Sequence, residues 1–290
     1  KAAPRHSRGH PVEFTSATIA AADMAPSLPA AAPAEASQRD LDKDAKIKEL
    51  REKLTGEAGD KAGQQLVQGG ELQTASELTG DAFLHRWLRA RGWDIERAYN
   101  AIVRHAEWRV TMMPNGKVDE ASIANELACE KVYIHGHDRK GRPLMIIQVK
   151  KHNGWTRNLE ELERLCCYIL DECVGRVQVS EVNPRGQCCA LLDLTDMGAL
   201  SMDIQAIKTL FALLGEHYVE RLGAMYFYNP PYIFWGAWNT LSPLLPEPTR
   251  NKIKVIDPSQ NSELLELVDP DILPKEYGGN APLGAPLGKA

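Results

Sequence analysis

The 290-residue chain is 43% hydrophobic and 25% charged, with a formal net charge of -5. That composition supports one sizeable core with a small satellite and argues against a general nucleic-acid binder, which needs a basic stripe. No apolar run reaches the roughly 20 residues needed to span a bilayer; the stretch Ile204–Leu214 is broken by Lys208.

In chain order, residues 1–40 lack periodicity, and their Ala, Pro and Ser content reads as a flexible leader. Ile47, Leu50 and Leu54 fall at helical spacing, which predicts a short charged helix over Asp42–Leu54. The Gly- and Gln-rich residues 55–70 read as a linker, so leader, helix and linker occupy 1–70. Asp81 caps a helix carrying Phe83, Leu84, Trp87 and Leu88, and Gly92 ends it. Asp94 caps a second helix with Ile95, Ala98, Tyr99, Ile102 and Val103 on one face. These two helices make a helical unit over 71–115.

The main domain spans 116–279. Val132–His135 and Pro143–Val149 read as a hairpin around Asp138-Arg139-Lys140-Gly141. A helix follows over Asn158–Val174, then a strand over Cys188–Leu194. Asp203 caps a further helix reaching about Leu222. Ala224–Tyr228 and Ile253–Ile256 are strands, and 280–290 reads as a flexible tail. Strands alternating with long helices imply crossover connections and an α/β fold with a mixed, mostly parallel sheet.

Chemistry-bearing motifs are sparse. The six cysteines lack metal or disulfide spacing and read as buried hydrophobes; the two adjacent pairs point to opposite faces of a strand or diverge around a helix. There is no nucleophile elbow, P-loop, dinucleotide fingerprint or zinc-protease motif. His135 and His137 flank a hairpin turn without a third ligand, so no metal is expected. Asp193 and Asp196 end a buried strand and read as turn and capping residues. The distinctive segment is Asn229–Thr249. Tyr232, Ile233, Phe234, Trp235, Trp238, Leu241, Leu244 and Leu245 make a helix that is apolar nearly all round between proline hinges. Such a helix is buried or touches a lipid surface.

Six blocks, in order, carry a resemblance to a known family. Phe83–Arg91 with Gly92-Trp93-Asp94 resembles its opening helix pair, and Asp138–Pro143 its hairpin. Leu192–Gly198 is similar to its strand end, and His217–Gly223 to its Tyr-x-Glu-Arg-Leu-Gly block, with Val219 where Pro is usual. Asn229-Pro230-Pro231 and Leu273–Gly279 complete the set. From Asp81 to Gly279 the chain resembles the CRAL-TRIO family, the lipid-binding fold of phosphatidylinositol transfer proteins. The resemblance implies one hydrophobic pocket gated by a mobile helix, here Tyr232–Leu245, and no catalysis or cofactor.

It also implies a headgroup site of Arg91, Glu220, Thr249 and Lys252. A buried phosphodiester needs cationic partners and hydroxyl donors, which those residue types supply. Ile134, Cys188 and Leu214 stand where relatives that bind phosphatidylcholine carry tyrosines and serines, which disfavours that lipid. The expected function is extraction, carriage or presentation of one phosphatidylinositol at membrane surfaces by a cytoplasmic, peripheral monomer, with a phosphoinositide kinase among its partners. Two other readings stay open: a carrier of a sterol or other neutral lipid, and a lipid-sensing adaptor without transfer.

Overall fold

The computed structural model describes residues 33–289 apart from Asn261. The expected leader over 1–32 lies outside the described residues. The chain divides into two compact units, 1–42 and 43–290.

The second unit opens with an all-helical part. It holds the C-terminal portion of α1 (Pro33–Lys53), then α2 (Glu57–Gln68), α3 (Asp81–Ala90) and α4 (Ile95–Met112). Ile47, Leu50 and Leu54 are buried together with Leu66, Leu84, Trp87, Leu88 and Ile102. The charged helix is therefore a member of this core. The expected linker over 55–70 is likewise helix α2, with Ala62 and Leu66 buried. The glycine that follows it permits close packing: a Cβ on Gly69 would come 2.3 Å from the Arg109 side chain. Asp94 caps α4 through the Arg97 amide, as its position predicts.

After the short helix α5 (Ala124–Ala128) comes a five-stranded sheet in the order β1 (Val132–His137), β2 (Pro143–Gln148), β3 (Cys188–Asp193), β4 (Leu222–Tyr228), β5 (Ile253–Ile256). The β1–β2 hairpin is antiparallel and the other pairings are parallel. The crossovers carry α6 (Leu159–Gly175), α7 (Ile204–Glu216) and α8 (Tyr232–Leu241). Asn158 and Asp203 cap α6 and α7. The helix α7 stops at Glu216, short of the expected Leu222, and leaves 217–221 as a turn into β4.

The pleat sends alternate residues to two cores. Cys188, Ala190, Met225 and Phe227 face α6, α7 and α8. Cys189, Leu191, Tyr226 and Tyr228 face a layer that includes Leu264, Leu273 and Tyr277. The adjacent cysteines thus point to opposite faces, and every cysteine is a free thiol. The expected tail packs: Leu287 is buried and its amide donates to the Val132 carbonyl. Among the described residues no helix is long and apolar enough to cross a membrane.

Helical part and sheet are joined at Arg109. Its guanidinium donates to the Gly69 carbonyl at 2.7 Å, forks onto Asp171 with two bonds of 2.8 Å, and reaches the Tyr218 hydroxyl at 3.3 Å. Burial would lower the guanidinium's proton affinity, but Asp171 beside it raises it, so the charge is fixed. Beside this joint, Trp108 stacks on His217 at 3.6 Å. Breaking a buried ion pair from one side costs about 3–5 kcal/mol. Arg109→Leu is expected to lose that much in urea unfolding. Arg109→Lys should not restore it, because an ammonium lacks the planar fork.

Candidate functional site

An apolar cavity of about 140 Å³ lies between the sheet and helices α6, α7 and α8. Leu162, Leu165, Ile169, Leu210, Phe211 and Phe227 line it, and Phe234, Ala237, Trp238 and Leu241 of α8 close it. A smaller void of about 50 Å³ shares Ile147, Cys166, Ile169, Leu192, Leu210 and Met225 with the first and runs on to Cys188, Leu214, Arg221 and Leu222. Two of the three residues expected to disfavour phosphatidylcholine, Cys188 and Leu214, line this second void, while Ile134 packs against the same core.

The closing helix is shorter than the expected Tyr232–Leu245. It ends at Leu241 and continues as a 3-10 turn, Ser242–Leu244. Phe234 and Trp238 stack with each other and meet Phe227 edge-on at 5.1 Å each. Tyr232, at 94% exposure, points to solvent along with Ile233 and Trp235. Leu241, Leu244 and Leu245 line a shallow groove with Ile207 and Phe211 of α7. The helix is held by aromatic packing, without a side-chain cap or a charged residue in its first or last turn.

Of the four expected headgroup residues, the structure brings Glu220 and Lys252 together. Glu220 lies in the turn before β4 with φ of 60°, a left-handed conformation costly for a residue with a Cβ. The Gln187 side chain donates to its carbonyl, and Arg89 stands 3.9 Å from its carboxylate. Lys252 is half-buried, and its ammonium makes no hydrogen bond or ion pair among the described residues. Burial pushes its ammonium below the ordinary lysine range; Glu220 opposes this, and Arg185 and Arg89 add to it.

Thr249 sits in the short helix α9 (Glu247–Arg250), and its carbonyl accepts from the Lys252 amide. Arg91 is engaged elsewhere. It donates to the carbonyls of Gly215 and Glu216 at the end of α7, pairs with the Glu216 carboxylate at 3.7 Å and lies over Trp87. A cation there complements the negative end of that helix. Arg89, two residues earlier, is the guanidinium beside Glu220.

The remaining polar residues singled out in the sequence have structural partners. His135 and His137 bond to the carbonyls of Ile272 and Arg176, and no potential metal cluster occurs among the described residues. Asp193 takes the Thr195 amide and the Tyr277 hydroxyl, and Asp196 pairs with Lys150. Unforeseen from sequence is a polar wall on the large cavity: Lys131 paired with Glu126 and His152, and His152 with Asp203.

The profile of the CRAL/TRIO domain matches residues 127–279. The chain is 26% identical to a phosphatidylinositol transfer protein, CSR1, of Eremothecium gossypii over 69% of its own length and 47% of that protein. It is 28% identical to the Sec14 cytosolic factor of Schizosaccharomyces pombe over 71% of its length and 76% of that protein. It spans about half the length of the first curated relatives it matches. The crystal structure of Sfh5 superposes with a TM-score of 0.65 at 17% identity, covering 84% of this chain and 88% of that one.

Lys252 is protonated less readily in the fold than in the unfolded chain, so its charge costs stability. The cost is fully present below its folded pKa and vanishes above the ordinary lysine value of 10.5. Lys252→Met is therefore expected to raise stability at neutral pH. The gain over wild type should disappear above that pH, as read from paired urea midpoints.

Proposed function

This chain belongs to the CRAL/TRIO domain family, and on that footing we propose that it binds one phosphatidylinositol molecule and moves or presents it at membrane surfaces, with no bond-making step. One observation carries the reading. Arg221 lines both the inner apolar void and a charged groove that also holds Glu220. An interior that takes hydrocarbon thus continues into a rim that takes an anion, the layout an amphiphile needs.

The acyl chains lie between α6, α7 and the sheet. The closed cavity, about 140 Å³, is well short of the roughly 300–1,000 Å³ of pockets that hold drug-sized ligands. Loading therefore requires α8 to move outward on its proline hinges, with the exposed Tyr232, Ile233 and Trp235 meeting the bilayer interface. Each methylene transferred contributes about 0.8 kcal/mol, and bilayer contact offsets that grip during exchange.

At the rim, Lys252 supplies the positive charge for the phosphodiester. Glu220 accepts from inositol hydroxyls, and Thr249 offers a hydroxyl donor. Arg91 joins them on release from the Gly215 and Glu216 carbonyls. Until then Arg89 is the guanidinium beside Glu220. Reading the cargo as a neutral lipid alone leaves the unpaired ammonium of Lys252 without a purpose.

Purified protein, extracted under native conditions and analysed by mass spectrometry, is expected to yield about one phosphatidylinositol per chain. The pair Glu220→Gln and Lys252→Ala should lose both that lipid and vesicle-to-vesicle transfer while keeping its melting transition. Recovery of a sterol or other neutral lipid in place of phosphatidylinositol would overturn the headgroup assignment.

A further inference from the structure

Along its whole length the groove beyond Arg221 sets arginines against an equal number of carboxylates, but its inner end, with Lys252 beside it, holds more positive charge than one phosphodiester needs. It has a volume of about 1100 Å³, and Arg86, Arg89, Arg185 and Arg221 line it together with Glu71 and Glu220. Lys252 adds its ammonium beside Glu220, Arg185 and Arg89. Farther along the groove the acids are engaged: Asp81 pairs with Arg51, and Glu77 accepts from the Thr74 amide. Asp44 lies near His85.

The inner end is only partly compensated. Glu71 is shared between His105 and Arg86, with Arg86 Nη2 at 2.8 Å. Burial would raise the Glu71 carboxyl, but His105 and Arg86 hold it well below its usual range, so it stays ionised. The other guanidinium nitrogen of Arg86, Nη1, is buried without a hydrogen-bond partner among the described residues. The Phe83 and Trp87 rings lie against this guanidinium, but a buried charged donor without an acceptor remains costly, and Arg86 as a whole is only 8% exposed. Arg221 donates to the Gly186 carbonyl at 3.0 Å, and its guanidinium is pushed down to about 10 by burial and by Arg86. Arg89 is lowered likewise by burial and Arg185. Mutual repulsion among cations and an orphaned buried donor are what a missing anion leaves behind.

We infer that the Arg86–Arg89–Arg185–Arg221 end of the groove is a second anion site, built for a phosphomonoester dianion beyond the phosphodiester at Lys252. Guanidinium forks from three separate segments suit the three terminal oxygens of such a group. An oxygen settling on the groove floor would supply the acceptor that Arg86 lacks. Two sources fit this chemistry: a phosphate on the inositol ring of a bound lipid, and a soluble phosphate ester. The inference extends the phosphatidylinositol reading without depending on it.

The full chain is titrated with phosphatidylcholine vesicles carrying phosphatidylinositol, phosphatidylinositol monophosphate or charge-matched phosphatidylserine, and separately with soluble inositol bisphosphate by calorimetry. One added charge-assisted contact is expected to make binding of the monophosphate lipid about tenfold tighter than that of phosphatidylinositol, with phosphatidylserine no substitute. Arg185→Gln should bring that ratio close to one. Arg185 is exposed, so the variant should fold even if Arg86→Gln does not. Equal affinity for both inositol lipids, with no heat from the soluble ester, overturns the second site and leaves the first intact. Binding of the soluble ester with neither inositol lipid retained upholds the second site and instead removes the phosphatidylinositol reading.

Discussion

A single buried guanidinium fixes where everything else in this protein can be. Arg109 ties the end of α2, the body of α6 and the Tyr218 hydroxyl to α4. The single proton of the Tyr218 hydroxyl lies between Asp171, at 2.9 Å, and the Cys167 carbonyl, at 3.2 Å. The next residue, Val219, is 1% exposed and belongs to the core of the helical part. The chain is therefore pinned twice before it reaches Glu220. The left-handed backbone at Glu220 persists because its neighbours over-determine it. The candidate site is held by packing between two cores, and its loop has little freedom of its own.

That arrangement concentrates cost at one place. A strained Glu220, a desolvated Lys252 and a nitrogen of Arg86, the last two without a side-chain hydrogen-bond partner among the described residues, lie at or near one groove. None of them helps the fold. The apolar cores on either face of the sheet carry the deficit, as expected where binding geometry is built at the expense of stability. The cluster also departs from the habit of doubly wound sheets, whose ligands sit beyond the carboxyl ends of the strands. Arg185, Glu220 and Lys252 all precede their strands β3, β4 and β5.

Much of this was legible in the sequence because the signals were local. Asp94, Asn158 and Asp203 are side-chain caps where a helix start needed one. The adjacent Cys188 and Cys189 point to opposite faces of a strand, one of the two placements their spacing allows, and the apolar helix between prolines is buried in part, against the cavity. Where reading failed, the cause was non-local. Glycines in and just after α2 looked like a linker, yet Gly59 admits the Leu54 carbonyl and Gly69 the Arg109 side chain. The segment after Gly279 carries no periodicity, but Leu287 finds the edge of β1. Arg89 and Arg91 are two residues apart and so on different sides of a helix; which of them meets Glu220 depends on how the helix is rotated, which no motif encodes. Arg86, Arg185 and Arg221 come from three distant segments and meet only in space.

Because β2 to β5 run parallel, the two ends of the sheet differ in kind. After the strands come Trp155, 80% exposed, Leu200, Ile204 and Tyr232, all open to solvent. Before β3, β4 and β5 come the arginines and the lysine of the groove. Exposed apolar side chains thus gather after the strands, while fixed charge gathers before them, where Val179 and Val182 are the exposed apolar exceptions. Under the proposed lipid-carrying function, such a body would meet a bilayer with the end that follows the strands and keep the groove on the aqueous side.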